Sequence, residues 1–298
     1  MREGITVTGR CLFSFGHGYS AGALARLLVG AGWRVVGTTR KPERAAELRD
    51  AGVEAMLWPA DRAALDAALG AATHLLLSAA PGPNGDPLLA DHRDVLTAHA
   101  GHISWAGYLS TTGVYGDRQG GWVDETARRD AGTARGKARI AAEDAWLALM
   151  QDTQLPVHIF RLAGIYGPGR GPFAKVRDGS ARRIIKPGQV FSRIHVEDIA
   201  AVLAASIARP NPGAAYNVCD DDPAPPQDVI AEAARLLGVP LPPEVPFETA
   251  EMSPMARSFY AESKRVSNRR IRDELGVALA YPDYRNGLQA LLDSEMGL

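Results

Sequence analysis

Apolar residues fall along the chain in short blocks that switch between two periods. Cys11 to Phe15 (CLFSF) is a nearly continuous apolar run, the mark of a strand buried on both faces, and after a turn Ala23, Leu24, Leu27 and Leu28 recur at the spacing of one helical face. The alternation continues with a strand from Trp33 to Thr39, a helix from Glu43 to Arg49, and strands from Val53 to Trp58 and from Thr73 to Ala79. Trp105 to Ser110 predicts a further strand, Ala138 to Met150 a helix, Val157 to Ala163 a strand, Asp198 to Ala208 a helix and Tyr216 to Val218 a last short strand. Strands alternating with helices predict an α/β fold with a doubly wound parallel sheet. The texture changes at DDDPAPP, Asp220 to Pro226, beyond which the chain is punctuated by proline, with helices near Asp228 to Leu237 and Ser267 to Leu275. The expected division is a nucleotide-binding domain of residues 1–166 and 189–219 and a smaller C-terminal substrate lobe of residues 167–188 and 220–298. No internal repeat is evident.

The chain of 298 residues is 46% hydrophobic, enough to bury a large core. Its 33 Lys plus Arg against 34 Asp plus Glu give a formal net charge of −1, which recommends neither nucleic acid nor an anionic membrane and leaves a small molecule as the expected partner. Cys11 and Cys219 make no disulfide framework, no apolar run is long enough to span a bilayer, and nothing reads as a signal peptide, so the expected compartment is the cytoplasm. Residues 1–10 read as a flexible extension or the product of an upstream start codon. The histidines lack ligand spacing, so no metal site is expected.

Between the first strand and its helix stands GHGYSA, in which Gly16, Gly18 and Ala21 carry a dinucleotide-binding pattern. Gly16 permits the tight exit from the strand. Gly18 lets backbone N–H groups of Tyr19, Ser20 and Ala21 approach a pyrophosphate at the positive end of the helix, and small Ala21 lets that helix lie close to the sheet. A Rossmann-type sheet is implied. Cofactors with a free ribose 2′-OH favour an acid about 20 residues past the turn, but here the strand ends in Thr39, Arg40 and Lys41, so NADP is preferred over NAD. Ser78, Ala79, Ala80 and Pro81, small groups at the end of the fourth strand, leave room for the middle of the cofactor.

Four later segments narrow the class: YLSTTGVYGD (Tyr108 to Asp117), RLAGIYGPGRG (Arg161 to Gly171), FSRIHVEDIA (Phe191 to Ala200) and YNVCDDDP (Tyr216 to Pro223). Together with the turn they resemble the extended short-chain dehydrogenase/reductase superfamily, which includes nucleotide-sugar epimerases and dehydratases. The resemblance spans nearly the whole chain and makes Thr111, four residues before the VYG tyrosine, the family's catalytic hydroxyl. That family places Tyr-x-x-x-Lys at the start of the next helix. In ARGKARIAAEDAW, with Glu143 set on the family's usual glutamate, Arg135 takes the tyrosine position and Arg139 the lysine position. Arg139 keeps the capacity to bind ribose, whereas Arg135, with a pKa above about 12, is a very poor proton donor at neutral pH. The pattern resembles the atypical YeeZ-like subgroup, which keeps the turn and lacks the Tyr/Lys pair.

If chemistry survives, Tyr166 and Tyr115 are the candidate acids, with Thr111 as hydroxyl partner. Each has a structural alternative, Tyr115 as a packing tyrosine and Tyr166 as a strand cap. His195, in the apolar alternation IHV, reads as a satisfied structural histidine. From Pro168 to Arg193 seven cations, Arg170 and Arg193 among them, face a single acid, Asp178. With Arg135 they could receive a carboxylate or phosphate, or simply solvate a surface. Relatives that bind nucleotide sugars often carry arginine where this chain has Phe191, so a smaller anionic substrate is preferred. Two function classes follow: an NAD(P)-dependent oxidoreductase or epimerase/dehydratase with a rebuilt proton relay, and a catalytically silent NADP(H)-binding redox sensor. A homodimer is compatible with either.

Overall fold

The computed structural model describes residues 9–297, so the reading of residues 1–10 as an extension falls almost wholly outside the described residues. In chain order the elements are β1 (Cys11–Phe15), α1 (Tyr19–Gly30), β2 (Arg34–Thr39), α2 (Pro42–Asp50), β3 (Glu54–Leu57), α3 (Arg62–Ala71), β4 (His74–Leu77), α4 (Pro87–His99) and β5 (Trp105–Thr111). There follow β6 (Trp122–Val123), α5 (Ala134–Thr153), β7 (Val157–Leu162), β8 (Gly164–Tyr166), α6 (Phe173–Arg177), β9 (Arg183–Ile185), β10 (Arg193–His195), α7 (Val196–Ala208) and β11 (Ala215–Val218). The C-terminal part holds α8 (Pro226–Leu237), β12 (Glu244–Pro246), α9 (Pro254–Phe259), β13 (Arg265–Val266), α10 (Arg269–Asp273) and α11 (Tyr284–Met296). No described helix is long and apolar enough to cross a membrane.

The chain packs as two compact units. The first contains the described residues up to Ser110 with Ala138–Phe160 and Leu203–Ala215; the second contains Thr111–Lys137, Arg161–Val202 and the chain from Tyr216 on. Residues 111–137, 161–166, 189–202 and 216–219, assigned by sequence to the nucleotide domain, therefore pack with the second unit.

The seven-stranded parallel sheet has the order β11-β7-β5-β4-β1-β2-β3. Phe13 of β1 lies opposite Val36 of β2 on one side and Leu75 of β4 on the other, so the strand order reverses at the C-terminal end of β1. In doubly wound sheets that switch point is where a ligand-binding crevice forms. Strands covered on both faces are mostly apolar, and β1, β4 and β7 are buried end to end, with Ser14, His74, His158 and Arg161 as their buried polar members. Trp105 is fully buried and places its indole N–H on Ser206 Oγ at 3.0 Å, so its polar atom does not go unmet in the core.

The second unit is held by short strand pairs, β8 with β10, β9 with β12 and β13 with β6, and by a core in which Tyr166, Phe173 and Val176 pack with Ala233, Ala234, Leu288 and Leu291. Gly287 in α11 is required there, because a Cβ would land on the Tyr166 hydroxyl. The expected helix over Ser267 to Leu275 is broken: Arg265 N and Ser267 N donate to Gly121 O and Val123 O, extending a strand ladder past Val266, and only Arg269–Asp273 is helical. Hydrogen bonds to β6 outweigh local helical propensity.

Candidate functional site

The turn after β1 is built by two tight contacts. Gly16 has φ +78°, its N–H donates to Thr38 Oγ1 at 2.7 Å, and a Cβ there would stand 2.7 Å from Ala79 N. Only glycine meets both conditions. Gly18 differs: its φ is −109°, and a Cβ would meet nothing nearer than Gly16 O at 3.8 Å. The space before the N-terminus of α1 is open. The first intrahelical bond runs from Gly22 N to Gly18 O, so the preceding N–H groups point out of the helix, where an anion is favoured. A pyrophosphate fits this cradle, with Ser20 and Ala21 buried behind it.

His17 is a feature that sequence reasoning missed. Its ring packs on β2 at Gly37, where a Cβ would come within 2.8 Å of it, and its Nδ1 has no hydrogen-bond partner. Burial, assisted by the Arg44 charge, pushes its pKa down to about 4, so the imidazole is neutral at physiological pH. Thr39 is buried and its Oγ1 accepts from Lys41 N at 3.2 Å, while Arg40 and Lys41 stand exposed beyond the strand end. Ser78 Oγ donates to Gly16 O at 2.5 Å, which ties β4 to the turn and accounts for a hydroxyl there; Ala79 supplies the surface against which Gly16 fits, and Ala80 and Pro81 continue from it.

The register of α5 is fixed by a buried bond. Ser110 Oγ donates to fully buried Glu143 at 2.5 Å, and one helical turn earlier Arg139 donates to Leu109 O at 2.5 Å and to the Tyr108 hydroxyl at 3.2 Å through the same Nη1. The helix starts at Ala134, earlier than expected, so Arg135 lies in its first turn.

The second unit encloses a cavity of about 480 Å³ lined by Thr111, Arg135, Tyr166, Arg170 and Arg193, with apolar surface from Phe191 and Phe259. Thr111 Oγ1 accepts from Gly113 N at 3.1 Å, which leaves its own proton to donate. The Arg135 guanidinium lies 4.7 Å over the Phe259 ring. Arg193 donates to Phe191 O at 2.9 Å and Ala224 O at 3.0 Å, and so also shapes the wall.

Tyr115 does not reach the cavity. It is fully buried, its hydroxyl donates to Asn217 Oδ1 at 2.7 Å and accepts from Arg161 at 2.9 Å, and burial pushes its pKa up to about 12. Tyr166 lines the cavity, but its hydroxyl faces Asp283 O at 3.4 Å, and burial together with the charges of Asp220, Asp198 and Asp283 raises its pKa. Neither phenol is disposed to exchange a proton with a ligand. His195 is packed between Tyr166 and Tyr281, as a structural residue would be, yet it is not fully satisfied: Nδ1 accepts from Glu197 N, and Nε2 is buried without a partner. Two further cavity residues, Glu262 and Lys264, come from the proline-punctuated segment, where only tertiary packing distinguishes them from solvated charges.

A parallel sheet with a glycine turn at its switch point, followed by a unit that carries the cavity, is a Rossmann-type α/β fold. The chain belongs to the family of the Escherichia coli (strain K12) protein YeeZ, to which it is 32% identical over 279 residues, 90% of this chain and 95% of that protein. A solved structure of a functionally unknown conserved protein from Silicibacter pomeroyi DSS is 58% identical, with a TM-score of 0.90 over 97% of this chain and 99% of its own. The dTDP-glucose 4,6-dehydratase of Bacillus anthracis str. Ames, solved in complex with NAD, shares the fold at a TM-score of 0.79 with 14% identity, over 97% of each chain. No family model matches the chain.

Proposed function

We propose that the protein is an NADP(H)-dependent oxidoreductase or epimerase/dehydratase-type enzyme acting on a small anionic carbonyl or hydroxyl compound. The observation that carries this reading is the cavity in which a donor hydroxyl, Thr111, shares an apolar-walled space with three arginines. On this reading Gly16 to Ala21 hold the pyrophosphate, Arg40 and Lys41 the 2′-phosphate, and Arg139 a ribose hydroxyl through its Nη2 and Nε. The dinucleotide supplies a hydride donor or acceptor. Thr111 orients a ligand oxygen by donating to it, and Arg135, always charged, binds the anion and moves no proton. The sealed hydroxyls of Tyr115 and Tyr166 favour a second reading, an NADP(H)-binding sensor without turnover.

NADPH is expected to raise the melting temperature more than NADH at equal concentration, since a ligand at about 100 times its dissociation constant adds roughly 2.7 kcal/mol of stability. Arg40→Glu should erase the difference; equal shifts with the native protein reject the NADP preference. Oxidation of NADPH that depends on an added 2-oxo acid or aldehyde then supports the enzyme, and tight binding with no turnover over a broad panel supports the sensor.

The two arginines of α5 should separate. Arg139→Ala is expected to weaken NADPH by about 10- to 100-fold, the worth of a charge-assisted hydrogen bond. Arg135→Ala should leave NADPH affinity within about twofold, because one rim cation is not part of the cradle. Calorimetry that finds the reverse order sinks the assignment.

A further inference from the structure

The cavity of the second unit contains a buried ion pair that none of the roles above uses. Lys264, 9% exposed, donates to Gly116 O at 2.8 Å and to Glu262 Oε2 at 2.6 Å. An ammonium has three N–H donors, so one remains. The other carboxylate oxygen, Glu262 Oε1, is buried and has no hydrogen-bond partner. Leaving a carboxylate oxygen unmet inside a protein is costly, and both residues line the cavity that Thr111 and Arg135 line. The site therefore offers one donor and one acceptor side by side.

We infer that the Glu262–Lys264 pair is a hydroxyl-binding site, and that the cavity takes small hydroxy acids with an apolar body. A ligand hydroxyl accepts from Lys264 Nζ and donates to Glu262 Oε1, meeting both open positions at once. A carboxylate in the same place is repelled by Glu262, and an ammonium by Lys264. The carboxylate of the ligand belongs at Arg135, which has no carboxylate partner among the described residues and is held over Phe259. Phe191, Val190, Val266 and Leu288 supply apolar wall between. The inference rests on the proposed small anionic substrate and adds the hydroxyl and the group that reads it.

The test is calorimetry with matched ligands, mandelate and 4-hydroxyphenylacetate each against phenylacetate, which lacks the hydroxyl. The native protein is expected to bind at least one hydroxylated ligand about tenfold or more tighter than phenylacetate. Glu262→Gln should cut that preference to about threefold or less, because the amide oxygen still accepts from Lys264 while its NH2 can only donate, so the ligand hydroxyl loses the oxygen it donates to; loss of the negative charge should tighten all three carboxylates alike. Lys264→Arg, which keeps the charge and moves the donor, should also reduce the preference. Equal affinities in the native protein, no binding of any of the three at millimolar concentration, or a preference undiminished by Glu262→Gln overturns it. NADPH stabilisation without a hydroxyl preference rejects this inference alone; hydroxy-acid binding without an NADPH effect rejects the cofactor reading alone.

Discussion

Gly18→Val should weaken NADPH binding by at least about 100-fold, roughly 2.7 kcal/mol, while the protein folds as before. The backbone at Gly18 is in an extended conformation open to any residue, and a Cβ there meets no atom closer than 3.8 Å, so the fold has no reason to object. The added methyl groups enter the open space before α1, where the proposed pyrophosphate lies. Gly16→Ala is the control with the opposite outcome. Its φ of +78° is strained for alanine by about 1–2 kcal/mol, and the new Cβ at 2.7 Å from Ala79 N forces backbone to move, adding roughly 1–3 kcal/mol. A loss of melting temperature on the order of 10 °C is expected for Gly16→Ala and almost none for Gly18→Val. Unchanged NADPH affinity in a folded Gly18→Val protein would falsify the cradle. Both functional readings need the cradle, so this experiment tests the cofactor alone.

What the sequence discloses and what it conceals divide along a physical line. The buried strands were legible because a parallel sheet covered on both faces admits little but apolar residues, so CLFSF, THLLLSA and the segment around Phe160 stand out. The turn was legible because φ at Gly16 restricts the residue type. Two helices carry readable signals in their caps: Asp61 caps α3 at Ala64 N, and Asp283 caps α11 ahead of Leu288, Leu291 and Leu292. The break at Ser267 was not legible, since its cause is a hydrogen bond to Val123, far away in the chain. The same holds for the site. Thr111 and Arg135 come from a motif resemblance, whereas Glu262 and Lys264 are two charges in a polar segment until the fold buries them. Tyr115 shows the converse, a tyrosine in the expected motif whose hydroxyl the fold consumes.

Acid should unfold the first unit between pH 6.5 and 4. His17, His74 and His158 all lie in that unit, and burial pushes each down to about 4. A histidine with a folded pKa below its unfolded value is kept neutral by the fold, so below pH 6.5 the unfolded chain binds more protons and stability is lost as pH falls to about 4. Each ring can cost on the order of 3 kcal/mol across that window, and three together rival a net stability of about 5–15 kcal/mol. His158 gives the cause most plainly: Nδ1 donates to Ala106 O at 3.3 Å while Nε2 accepts from Asn211 N at 3.0 Å, an arrangement only the neutral ring can make. Asp220 of the second unit acts with the opposite sign. Burial lifts its carboxyl to about 8, so the stability tied to its proton is present at low pH and lost as pH rises from the unfolded value toward 8. The measurement must therefore report on the first unit, as tryptophan fluorescence does, because every tryptophan but Trp122 lies there. Denaturant midpoints should fall steeply from about pH 7 to 4.5 in the native protein. His158→Gln, which can make both hydrogen bonds without titrating, should remove about a third of that slope. A flat native profile, or parallel profiles for the two proteins, would show that these rings are not held neutral by the fold.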